Sequence, residues 1–83
     1  MNEKKFDDAL REIINKELEP HNLTIDDVMK SETWYSDLTM TPEQSDEWVK
    51  FGVELLRKKL RLSKKRAERE MVWVNLMWGL RVV

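Results

Sequence analysis

Apolar residues fall at three- and four-residue steps near the start of the chain: Phe6, Ala9, Leu10, Ile13, Ile14 and Leu18, with Lys, Asp, Glu and Arg between them. That period predicts an amphipathic helix over about residues 3–18. Pro20 ends it, since proline has no N–H to give and its ring clashes with the preceding turn. Asn2 is placed to cap the start, and Glu3 suits the positive end of the dipole. Glu19-Pro20-His21-Asn22 then reads as a turn. Thr24 ahead of Ile25-Asp26-Asp27-Val28-Met29 predicts a capped helix of about two turns at most. From Ser31 to Met40 the periodicity is lost and a loop is expected. Trp34, Tyr35 and Leu38 within it are too large to stay fully wet, so they plug the chain's own core or anchor a partner.

Thr41-Pro42-Glu43-Gln44 is the clearest local signal: an N-cap, a proline at the first helical position, and Gln three residues after the cap to close a capping box. Trp48, Phe51, Leu55, Leu56 and Leu60 form the apolar stripe of the helix that begins there, and Lys50, Glu54, Arg57, Lys58 and Arg61 its polar face. Gly52 sits in the stripe at a cost of about 1 kcal/mol relative to Ala, and is expected to admit a bulky neighbour such as a Trp. A single helix from Pro42 to Trp78 would be ~55 Å long and could not pack on itself in so small a chain. Ser63 is therefore expected to cap a new helix running to about residue 78. Gly79 is placed to end it, with Leu80-Arg81-Val82-Val83 as an extended tail. Val72-Trp73-Val74 and Leu80 to Val83 also suit a short strand or hairpin, which is the alternative for this end.

In the run Met71 to Leu80, Asn75 is the one side chain that is neither apolar nor absent. A helix apolar all round must be covered all round. The run is about half of the ~20 residues needed to span a bilayer, so a protein cover is expected rather than a membrane. Leaving four such side chains wet forgoes on the order of 6–10 kcal/mol of transfer free energy. Trp73, Leu76, Met77, Trp78 and Leu80, joined by Trp34 and Tyr35, are thus the expected partner-binding residues, and a homodimer is the simplest cover.

With 83 residues, one helical domain spanning 1–83 is expected. There is no Cys, and the opening residues lack the apolar stretch of a signal peptide, which together read as cytoplasmic. The net charge of −1 hides a division: residues 1–50 carry 13 acids and 6 bases, residues 51–83 carry 3 and 9. Either the halves pack together and neutralise each other, or a basic face is offered to a polyanion. Eight cations lie between Arg57 and Arg69. Among them Arg57, Lys58, Arg61, Lys64, Lys65, Arg66 and Arg69 are the residues with which a nucleic-acid-binding protein would meet phosphates.

Catalytic equipment is not expected. His21 is the sole imidazole and sits beside Pro20, with no Cys or spaced His to complete a metal site. Asp7-Asp8 and Asp26-Asp27 are adjacent pairs that diverge by about 100° on a helix, and the two glycines stand apart, so no phosphate loop forms. Neither metal nor cofactor is expected.

Leu56 to Ser63 resembles the opening of repressor-type helix-turn-helix domains, in which Leu-Arg-x-x-Leu-x-Leu-Ser leads into the first motif helix. Where that family has Leu-Ala next, this chain has Arg66-Ala67-Glu68, and a recognition helix would fall on Met71 to Trp78, with only Asn75 to read bases. Trp73-x-x-Leu76-x-Trp78-Gly79-Leu80 and Trp34-Tyr35, Thr41-Pro42-Glu43-Gln44 and Trp48 are similar to small bacteriophage proteins of unknown function. That resemblance implies an accessory protein or inhibitor acting by occupying a macromolecular surface. The sequence thus predicts an all-α fold of three to four short helices with a long antiparallel helix pair. Its expected function is that of a non-catalytic, self-associating protein-binding module, with nucleic-acid binding as the alternative.

Overall fold

A computed structural model describes residues 3–30 and 38–83. In chain order these form α1 (Glu3–Leu18), a 3-10 turn (Glu19–His21), α2 (Ile25–Lys30), β1 (Thr39–Met40), α3 (Pro42–Leu60), α4 (Lys64–Trp78) and β2 (Arg81–Val82). The fold is helical, as the periodicity requires, with one two-residue parallel strand pair added. Asn2, Trp34 and Tyr35, expected as a cap and as aromatic plugs or anchors, lie outside the described residues.

α2, α3 and α4 each start where a side chain satisfies a free N–H group. At α3 the Gln44 N–H donates to Thr41 Oγ1 at 3.1 Å and the Thr41 N–H to Gln44 Oε1 at 2.9 Å, which is the full capping box. Thr24 and Asp27 make the same exchange at α2, and the Ile25 N–H is taken by Asn15 Oδ1 of α1 at 2.8 Å. Ser63 accepts from the Arg66 N–H at 3.3 Å and opens α4, so the chain does break there. Arg61 makes the break possible by ending α3 in the left-handed region, φ 54° and ψ 35°.

Gly79 ends α4 for a different reason from the one expected. Its φ of −64° and ψ of 136° are ordinary extended values. Glycine is required by proximity, because a Cβ there would overlap the Asn75 side chain and its backbone carbonyl. The chain that follows pairs with β1: Thr39 lies opposite Arg81 and Met40 opposite Val82, and the Val83 N–H donates to Met40 O at 3.0 Å. Val72 to Val74, for which a strand was the alternative, lie within α4.

Burial follows the stripes. Ala9 and Ile13 of α1, Trp48 and Leu56 of α3, and Ala67, Met71 and Val74 of α4 form one cluster closed by Met40 and Leu80. The three-residue turn between α3 and α4 folds them back on each other, with Gly52 against Met71. Gly52 is there to admit a large neighbour, as expected, but that neighbour is Met71 rather than a Trp: an added methyl would overlap the Met71 sulfur and lie 2.8 Å from its Cε. Trp48 is instead pinned to α1, its indole N–H donating to Ile13 O at 2.7 Å in the buried interior.

Candidate interaction surface

α4 carries three surfaces at once, because each residue steps about 100° round the helix. Ala67, Met71 and Val74 share the side that enters the core. On the opposite side stand Val72, Trp73, Leu76 and Met77, which keep 66%, 60%, 75% and 67% of their surface exposed. Pairs 72/76 and 73/77 are four apart and pair 73/76 three apart, so these residues are neighbours on the helix surface and form a continuous ridge. Together they offer on the order of 500 Å² of apolar surface, toward the upper end of what single soluble chains show. The same angular step puts Lys65, Arg66 and Arg69 on this outer side, toward the start of the helix, and all three are exposed.

Three of the five tail residues expected to meet a partner, Trp73, Leu76 and Met77, are therefore brought together on one open face. Trp78 is not on that face: four residues after Val74, it falls on the core-facing side of α4 at the end of the helix, 37% exposed and already engaged within the chain. Leu80 is a correction. It is 5% exposed and belongs to the core, because the pairing of β2 with β1 turns it inward. Val72 joins the exposed face without having been expected there, because a run apolar on every side does not say which side will face out.

Beside the ridge, α3 and α4 leave a groove of about 510 Å³ lined by Val49, Val53, Met71 and Val72, with Lys50, Glu54, Lys64, Glu68 and Asn75 also bordering it. Val72 belongs to both groove and ridge, so the apolar surface is continuous from one to the other.

The cations gather around the turn between α3 and α4. Arg57, Lys58, Arg61, Lys64, Lys65, Arg66 and Arg69 are all exposed. An ion pair of Lys59 with Glu12 joins the basic and acidic halves, while Arg57 reaches Glu54 of its own helix at 3.9 Å. Lys58, Arg61, Lys64, Lys65, Arg66 and Arg69 have no ion pair among the described residues. The basic run of the second half stays largely exposed at the surface. Leu56 to Ser63, the stretch resembling a helix-turn-helix opening, forms the end of α3 and the cap of α4.

His21 has a structural role: its Nε2–H donates to Thr39 O at 2.9 Å and ties the 3-10 turn to β1. Among the described residues no group of three or more His, Cys, Asp or Glu is placed to hold a metal ion, and no helix is long and apolar enough to cross a membrane. Compared with protein-family models, with curated proteins and with solved structures, the chain has no match.

Proposed function

We propose that this chain is a non-catalytic protein-binding module that pairs with a second copy of itself through the outer face of α4. The observation that carries the reading is the ridge of Val72, Trp73, Leu76 and Met77, set opposite the core and left facing water. A stable pair of proteins buries about 800 Å² on each partner. The ridge supplies more than half of that, and the aliphatic stems of Arg66 and Arg69 extend it along the same side. A small module of this kind acts by occupying a surface, as the resemblance to small phage proteins implies for an accessory protein or inhibitor. Sedimentation equilibrium tests the pairing: in the micromolar range the chain is expected at about 20 kDa, twice its 10.0 kDa, with Leu76→Ser and Trp73→Ser returning it to a monomer. A wild-type chain that stays monomeric throughout that range overturns the reading.

One observation favours a second reading, a nucleic-acid-binding role for Arg57 to Arg69: six of its cations have no ion pair among the described residues. Phosphate contact makes log affinity fall linearly with log salt. On that reading, duplex DNA binding is steeply salt-dependent and is abolished by joint Lys64→Ala, Lys65→Ala and Arg66→Ala replacement. Salt-independent or undetectable binding removes it.

A further inference from the structure

A pair of α4 helices can run in either of two directions, and the charge layout of α4 distinguishes them. Backbone dipoles place about half a positive charge at a helix N-terminus and half a negative charge at its C-terminus, so acids belong in the first turn and cations in the last. The other α-helices obey this. α1 opens on Glu3 and closes on Lys16, α2 opens on Asp26 and Asp27 and closes on Lys30, and α3 opens on Glu43 and closes on Arg57, Lys58 and Lys59. α4 inverts the rule: its first turn holds Lys64, Lys65 and Arg66 with no acid, and its last turn has no cation.

Among the described residues no ion pair answers the inversion at the start of α4, and the first cation past its end, Arg81, lies beyond the last turn. The nearest carbonyl end, that of α3, already carries three cations of its own. The three cations on the outer side of α4, Lys65, Arg66 and Arg69, have no ion pair among the described residues. An in-register parallel pair would set these cations against their own copies and bring two uncompensated carbonyl ends together. An antiparallel pair does the opposite. Centred at the level between Val74 and Asn75, it sets Trp73 of each copy against Leu76 of the other, with Val72 and Met77 on the two edges of the contact. It also carries Arg69 to the level of residue 80 of the second copy, just past the last helical carbonyls there, where a cation is favoured.

Resting on the self-pairing reading, we propose that two copies of α4 pack antiparallel about a twofold axis near Val74 and Asn75. Arg69 of each then caps the carbonyl end of the other. The apolar ridge supplies the attraction, and the inverted charges set the direction and reject the parallel alternative.

The absence of native cysteine makes direction measurable, because Glu68→Cys gives one labelling site per chain at an exposed position off the ridge. With a rise of 1.5 Å per residue and helix axes about 8–10 Å apart, the two labelled backbones lie roughly 20 Å apart in the antiparallel pair and about 10 Å apart in the parallel one. Pulsed electron-electron resonance on spin-labelled Glu68→Cys is expected to give the longer separation. Arg69→Ala supplies a test of sign. The antiparallel pair loses a cap and its Kd rises about three- to tenfold, whereas a parallel pair loses a repulsion and tightens. A dimer with the short separation, or one that Arg69→Ala leaves unchanged or tightens, overturns the proposed direction and leaves self-pairing standing. A chain monomeric at every concentration overturns both.

Discussion

Trp48 joins two helices through one indole N–H, and the bond to Ile13 O at 2.7 Å lies in the buried interior. Trp48→Phe removes that donor and part of a ring, so it is expected to cost about 1–3 kcal/mol in urea unfolding. Gly52 and Met71 make a second residue-level case, because a methyl on one would occupy the sulfur position of the other. Gly52→Ala gains about 1 kcal/mol of helix propensity but overpacks the contact, for a net loss of about 1 kcal/mol. In a Met71→Ala background the overlap is gone, and the same replacement is expected to stabilise by up to about 1 kcal/mol. A double-mutant cycle that comes out additive would remove the contact as the reason for the glycine. The need for a small residue at 52 was readable from its place in an apolar stripe. The identity of its neighbour was not, since that depends on the axial register of α3 against α4.

Among the elements, the helix starts were the most legible. Thr41, Thr24 and Ser63 all cap as read, because an N-cap is a contact between residues three apart and needs no tertiary information. Helix ends were less so. Arg61 occupies the left-handed region, where a side chain costs about 1–2 kcal/mol and glycine does not. Arg61→Gly is therefore expected to raise stability by about 0.5–1 kcal/mol in thermal or urea melts; a destabilised variant would mean that its side chain makes a contact worth more than the strain. Gly79 shows the converse. The residue type was read as an end signal, yet its backbone is extended and its role is to clear Asn75. The short parallel pair of Thr39–Met40 with Arg81–Val82 joins segments some forty residues apart, and no two-residue stretch announces such a partner.

For the molecule as a whole, the ridge on α4 predicts a separation of folding from association. Val72, Trp73, Leu76 and Met77 contribute little to the core of a single chain, so Leu76→Ser is expected to leave monomer stability within about 0.5 kcal/mol. Pairing links stability to concentration, so the wild-type melting temperature should rise with protein concentration while that of Leu76→Ser stays constant. Equal behaviour of the two in calorimetry would mean that Leu76 is not part of an interface. An apolar interface is also expected to respond weakly to salt, unlike phosphate contact by the cations at the α3–α4 turn.

The sequence by itself determined the helical fold class, the caps at Thr24 and Thr41 and the excess of apolar residues at the C-terminal end, and it favoured a break at Ser63 over one long helix. Each is a matter of local spacing and composition, carried within a few residues of chain. Tertiary structure alone decided which side of α4 faces the core. Ala67, Met71 and Val74 fit against α3 where Gly52 leaves room, and that choice sends Val72, Trp73, Leu76 and Met77 outward. It also drew Leu80 into the core through a strand pair with a distant segment, and left most of the basic run without acidic partners among the described residues. A helix greasy on every side does not select its own buried face; the shape of what it packs against does.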